Sequence, residues 1–182
     1  FAVGTYFARS GATVLVGSDP RESSPMLMDA VSSGLAQAGV NVLIVGVIPT
    51  PGLAYLAKTS DALAAIMISA SHNPYYDNGI KIFSGEGDKL SDQQEAEISE
   101  IFSAASQTAN KTLGKITKAE DEVQKYVEFL QSKYKMPVAD ISVALDCANG
   151  ATASVAKDVF AGMCRQVTVI NADPDGKNIN DK

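Results

Sequence analysis

Apolar and polar positions alternate along this chain in blocks that read as strands followed by helices. Val14 to Val16 form a short apolar run closed by GSDPRESSP (17–25). There Ser24 is placed to cap a helix whose first position is Pro25, where the missing N–H costs no hydrogen bond. That helix is predicted to run to about Ala38 and to stop at Gly39. NVLIVGVI (41–48) follows as a second strand, and PTPGLAYLAKT (49–59) starts a helix behind Pro49 and Pro51. Ala62 to Ala70 is a third apolar run, apolar on both faces as a central buried strand is. Gly79 to Phe83 reads as a fourth strand, with Lys81 facing away from Ile80 and Ile82.

Ser91 and Gln94 fit a capping box ahead of Ile98, Ile101, Phe102 and Ala105, which recur at helical spacing. Residues 106–117 are small, polar and aperiodic, the candidate linker. Thr117 and Glu120 make a second capping box before the apolar stripe Val123, Tyr126, Val127, Leu130 and Tyr134. Ile141 to Ala148 reads as a strand, Asn149 and Gly150 as a turn, Ala151 to Met163 as a helix and Val167 to Asn171 as another strand, together one βαβ unit. Phe1 to Arg9 looks like the end of a helix and Asn171 to Lys182 like a polar loop, so both ends read as cuts.

This order predicts an α/β fold: a mixed, mostly parallel sheet layered between helices, followed by the start of a second, similar α/β domain. The succession βαβαββ leaves room for the last strand of the first sheet to be antiparallel. The division expected is residues 1–112 for the first domain and 113–182 for the beginning of the second.

Composition narrows the partners. The 182 residues are 46% hydrophobic, enough for one ordinary core and part of another. The net charge of −6 comes from 21 acids among 15 bases, with no basic cluster to track a phosphate backbone, which argues against nucleic acid. Cys147 and Cys164, both in apolar surroundings, read as reduced core cysteines of a cytoplasmic protein. No apolar run approaches the ~20 residues that span a bilayer, so no membrane partner is expected.

The segment that carries chemistry is SASHNPYYDNGIK (69–81), an exposed, sharply shaped loop between two strands. Loops at the carboxyl ends of parallel strands share one edge of the sheet, where ligands bind, and the loop holding Asp19 and Arg21 opens on that edge too. Ser71, His72, Lys81 and Arg21 are therefore expected to converge. His72 is the only histidine and is adjacent to Ser71, from which its side chain would normally diverge, so a Ser-His-acid triad is poorly supported. A serine among cationic side chains suits an anion, with phosphate the obvious candidate. Taken alone, the same residues are equally an ordinary loop beside a solvated Lys81. DCANG (146–150) reads as a strand-to-helix turn before an anion-binding helix start, and DPDGKN (173–178) as a turn before a calcium loop.

At these residues the sequence resembles the α-D-phosphohexomutase superfamily. The core of the resemblance is SASHNPYYDNGIKIF (69–83), with weaker matches at GSDPRESS (17–24), PTPGLAYL (49–56), DCANGA (146–151) and PDGKNIN (174–180), in family order over nearly the whole chain. It is closest to the bacterial branch that acts on glucosamine phosphates. The resemblance implies that Ser71 is phosphorylated and that its phosphate ligates magnesium. It implies that His72 and Lys81 assist proton transfer and charge stabilisation, and that Arg21 reaches the site from the first loop. The implied reaction interconverts glucosamine 6-phosphate and glucosamine 1-phosphate through a hexosamine 1,6-bisphosphate, with a hexosamine phosphate as partner and a homodimer allowed. The family's early GTDGIR-type motif is not found, and its DGDGDR-type metal loop is expected beyond Lys182, so this stretch alone is expected to be inactive. Other readings are a glucose- or mannose-phosphate mutase of the same superfamily, or a sugar-phosphate-binding module without turnover.

Overall fold

A computed structural model describes residues 1–8, 11–104, 112–133 and 138–181. Arg9, Ala105, Tyr134 and much of the candidate linker lie outside these residues. The elements are α1 (Ala2–Phe7), β1 (Thr13–Ser18), α2 (Ser24–Gln37), β2 (Asn41–Val47), α3 (Thr50–Lys58), β3 (Ala64–Ile68), β4 (Ile80–Ser84) and α4 (Asp92–Ser103). They continue with β5 (Ile116–Lys118), α5 (Val123–Lys133), β6 (Val138–Asp146), α6 (Ala156–Phe160) and β7 (Cys164–Ile170). The first sheet has the order β4-β3-β1-β2-β5 and is parallel except for β4, which runs antiparallel to β3.

Alternation along the strands divides the core in two. Val14, Val16, Val42, Ile66 and Ile68 face Leu35 of α2, Ile98 of α4 and Phe7 of α1. Leu15, Val45, Ala65, Met67 and Phe83 face Leu53 and Leu56 of α3. Residues 14–18 of β1 and all of β3 are buried, because helices cover both faces of the sheet. Each such Val, Ile or Leu contributes about 1.5–3 kcal/mol when fully removed from water. This is the α/β architecture the alternating pattern predicts.

The chain after β5 stacks on the α3 side. Phe129 of α5 lies against Tyr55 of α3 with ring centroids 4.1 Å apart, and Tyr126 and Val127 of its stripe are buried. β6 and β7 form a parallel two-stranded sheet joined through α6, the predicted βαβ unit. Among the described residues no helix is long and apolar enough to cross a membrane.

Several local expectations are corrected. Ser24 is not the cap of α2: the chain is already helical at Ser23 (φ −80°, ψ −13°), and the Ser24 hydroxyl is directed to Asp19 instead. The end of the polar stretch 106–117 is not linker, because the backbone of 116–118 pairs with β2 as the edge strand of the first sheet. That pairing removes Thr117 from any capping role, and α5 is entered through a single 3₁₀ turn at Glu120–Glu122. The helix expected over 151–163 is a 3₁₀ turn at Ala151–Ser154 and the short α6, separated by Val155 at φ −131° and ended by Gly162 at φ +74°. Phe102 is 75% exposed, so among the described residues the apolar stripe of α4 is used through Ile98 and the half-buried Ile101. The capping box at Ser91 and Gln94 is present as predicted.

Candidate functional site

The carboxyl ends of β1 and β3 are stitched together by the Asp19 N–H, which donates to the Ile68 carbonyl at 3.0 Å. This places the loop after β1 beside the loop after β3 and buries Asp19 and Arg21 beneath them. Asp19 Oδ2 accepts from Arg21 Nε at 2.9 Å and from Ser69 Oγ at 2.8 Å, while Oδ1 accepts from Ser24 Oγ at 3.3 Å. A buried ion pair of this kind persists only where such bonds replace lost hydration.

Above this pair the loop is held at many points. Arg21 Nη2 donates to the Ser71 carbonyl at 2.7 Å, and Nη1 donates to the carbonyls of Pro74 and Asp77. Asn78 Nδ2 donates to Ser23 Oγ at 2.8 Å, tying the loop to the start of α2. Gly79 lets the returning strand close on Ser69: a Cβ there would lie 3.0 Å from the Ser69 carbonyl oxygen, and the Ser69 N–H donates to the Gly79 carbonyl at 2.8 Å. Within this frame Ser71 takes φ +60°, a left-handed conformation that costs a non-glycine residue about 1–2 kcal/mol. Strain of this sort collects where a structure over-determines a functional loop.

Ser71 and His72 line a cavity of about 480 Å³ whose floor includes Asp19, Met67 and Ser69 and whose far wall is Ala148, Gly150, Ala151, Thr152 and Asn180. Both residues are exposed. The expected divergence of their side chains does not occur: Ser71 Oγ and His72 Nδ1 lie 3.5 Å apart, a long contact. Asn180 Nδ2 donates to the His72 carbonyl at 3.1 Å, and Lys177 pairs with Glu22 at 3.2 Å, so the segment 173–181 closes this side. On the far wall the N–H groups of Ala148, Asn149 and Gly150 are already bonded to Asp146 Oδ1 and the carbonyls of Asn171 and Cys147, as in an ordinary turn. The Asn171 side chain and the Ala148 N–H hold the Asp146 carboxyl below its usual range. Burial, followed by the neighbouring Asp146 charge, pushes the Cys147 thiol up.

Lys81 stands on β4, the strand expected for it. It pairs across the ladder with Met67, so it shares the sheet face of the cavity, but it is half-buried on the edge strand and is not among the cavity's lining residues. Arg21 reaches the Ser71 loop from the first loop, and it does so from below. An arginine at a helix start is commonly exposed, whereas this one is 1% exposed and binds loop carbonyls and Asp19. The described residues around Ser71 do not make a magnesium site. No group of three or more His, Cys, Asp or Glu among them could hold a metal ion, and Asp19, the one carboxylate among the cavity's described lining residues, is taken up by Arg21, Ser24 and Ser69. A phosphate on Ser71 would supply a single ligand of the octahedral set magnesium takes.

Residues 1–109 match the family described as phosphoglucomutase/phosphomannomutase, alpha/beta/alpha domain I. The chain belongs to the phosphoglucomutase/phosphomannomutase family. It is 46% identical, over 99% of its length, to the phosphoglucosamine mutase of Pseudomonas syringae pv. syringae, of which it covers 41%. The phosphoglucosamine mutase of Pseudomonas paraeruginosa is 45% identical over the whole chain, which covers 42% of that protein. The chain thus spans about two fifths of the length of the curated relatives it matches. A phosphoglucomutase/phosphomannomutase family protein of Burkholderia thailandensis has the same fold, with a TM-score of 0.79 and 26% identity over 97% of this chain and 40% of that one.

Sequence reasoning about this family member did not single out Ser69, Asn78 or Asn180. Ser69 stands two residues before Ser71, a spacing at which a hydroxyl can reach a backbone N–H, and that was the available signal.

Proposed function

We propose that the whole protein to which this chain belongs is a phosphoglucosamine mutase, with Ser71 as its phosphate-carrying nucleophile. The observation that carries the reading is Ser71 itself: an exposed hydroxyl, held at φ +60° on the rim of a cavity, with His72 Nδ1 beside it. The names of the relatives at 45–46% identity support the choice of sugar.

In this reading phosphoserine 71 donates its phosphoryl group to the free hydroxyl of a glucosamine monophosphate. The bond from phosphorus to Ser71 Oγ breaks as the bond to the sugar oxygen forms, the hydroxyl proton is lost, and Ser71 Oγ gains a proton. The product is the 1,6-bisphosphate. After the bisphosphate turns over in the site, its other phosphoryl group returns to Ser71 by the reverse bond changes, leaving the isomeric monophosphate. Such transfer depends on position and on compensation of charge rather than on covalent chemistry by the protein. His72, next to Oγ, is assigned the proton movement, and Lys81, on the same sheet face, the charge compensation. Magnesium is assigned to the whole protein, with further ligands from outside the described residues. The same reading divides the chain into a first unit over 1–112 and the beginning of a second over 113–182, with β5 reaching back onto the first sheet.

The test is the position of the phosphate. Intact-mass and peptide mapping of the full-length protein are expected to find a phosphate on Ser71, adding about two negative charges at neutral pH. Ser71→Ala is expected to abolish nearly all turnover without unfolding the protein, because an exposed loop serine carries little packing. A phosphate on Ser69, or a Ser71→Ala protein with undiminished rate, overturns the assignment.

A further inference from the structure

We infer that the buried Asp19–Arg21 pair and Ser69 form a positioning device that clamps the nucleophile from both sides of its backbone; the inference rests on the reading of Ser71 as nucleophile. The arrangement has two arms. On one side, Asp19 Oδ2 accepts a hydrogen bond from the Ser69 hydroxyl at 2.8 Å, and as a carboxylate it can only accept. The Ser69 lone pairs must therefore face outward, and Ser69 Oγ accepts the Ser71 N–H at 3.0 Å. A hydroxyl polarised by a carboxylate is a stronger acceptor than a free one, especially out of water, and Ser69 is buried. On the other side, Arg21 Nη2 donates to the Ser71 carbonyl at 2.7 Å. The Ser71 C=O is thus held directly by the cation of one ion pair and its N–H is held by the anion through the Ser69 hydroxyl, the pair itself closed at 2.9 Å.

The geometry accounts for several features at once. Ser71 is held in a left-handed conformation that an L-residue avoids, and the two bonds on its flanking peptide groups supply the compensation. Arg21 is buried because its work is on the loop backbone, where it also binds the carbonyls of Pro74 and Asp77. The polarity of the hydroxyl chain runs one way, from the Ser71 N–H through Ser69 to Asp19, so Ser69 acts through its oxygen and not through its bulk. None of the three residues contributes its side chain to the transfer. They set where Ser71 Oγ sits and which way it points.

Loss of one arm is expected to move Oγ by a fraction of an ångström to an ångström, and misplacement on that scale lowers rates by about ten- to a hundredfold. Replacing Asp19 or Arg21 would leave a buried unpaired charge and endanger folding, so Ser69 is the informative position. In the full-length protein, Ser69→Ala is expected to lower kcat by about tenfold or more with KM changed less than about threefold. Its thermal midpoint is expected to stay within a few degrees of the parent, and phosphate is still expected at Ser71. Ser69→Thr keeps the hydroxyl and is expected to restore kcat to within about threefold of the parent. Wild-type kcat in Ser69→Ala, beside an inactive Ser71→Ala, overturns the clamp and leaves the nucleophile standing. A kcat loss that Ser69→Thr does not reverse, or that follows a collapse of the thermal midpoint, also overturns it, since packing alone then explains the position. An active Ser71→Ala removes the nucleophile and the clamp together.

Discussion

At the scale of single residues, the site depends on where a few side chains are directed more than on which types are present. Arg21 and Lys81 are both cations near a candidate phosphate, yet one is buried under the loop and the other stands on an edge strand in register with Met67. Their substitutions should therefore differ in kind. Lys81→Ala in the full-length protein removes a charge from the cavity face of the sheet while leaving the strand's ladder intact. It is expected to lower kcat by about a hundredfold, in line with loss of one preorganised electrostatic group. Steady-state rates read beside an unfolding curve check this, and an unchanged rate would make Lys81 an ordinary edge residue. Arg21 replaced by Lys would keep the charge but not the planar fork that reaches several carbonyls at once.

At the scale of elements, the loop between β3 and β4 is shaped by the elements on either side of it. β3 ends buried in the sheet, β4 returns antiparallel, and Gly79 lets the two ends approach closely enough for Ser69 and Gly79 to bond. α4 is a separable element on the flank. Its capping box is complete, with the Ser91 hydroxyl accepting the Gln94 N–H at 3.3 Å and the Gln94 side chain accepting the Ser91 N–H at 3.0 Å. Ser91→Ala is accordingly expected to lower stability by about 1 kcal/mol, measured by urea unfolding, with kcat unchanged. A change in kcat would show that α4 communicates with the loop.

At the scale of the whole molecule, the cavity is assembled from segments far apart in the chain. Ser71 and His72 come from the first sheet's loop, while Ala148, Gly150 and Asn180 come from the unit built on β6 and β7. Charge pairing and backbone bonds hold the two together, through Lys177 with Glu22 and the Glu22 N–H with the Gly176 carbonyl. The described residues nevertheless lack the carboxylates of a magnesium site. A protein of these 182 residues is therefore expected to show no magnesium-dependent interconversion of glucosamine phosphates in a coupled assay, even with a bisphosphate primer. The full-length protein is expected to catalyse it and to lose it with a chelator. Sustained turnover by the 182-residue protein would show that the chemistry needs no residues beyond these.

What was legible in the sequence is what local physics dictates. Period-two and period-3.6 patterns located the strands and most helices, since burial against a sheet demands them, and turn residues marked 69–79 as a shaped loop. The string around Ser71 also carried the family. Only the tertiary structure decided the rest. Thr117 looked like a cap and became a strand because β2 offered an unpaired edge, and a partner strand is not visible from local sequence. Phe102 fitted the apolar stripe of α4 yet has nothing over it among the described residues, because periodicity names a face and not its neighbour. Arg21 looked like a ligand-facing cation; its fate was set by the carbonyls of Ser71, Pro74 and Asp77, which reach it only when β1 and β3 lie side by side. The left-handed turn at Ser71 belongs to the same class, for the Arg21 bond to its carbonyl exists only after the sheet has formed.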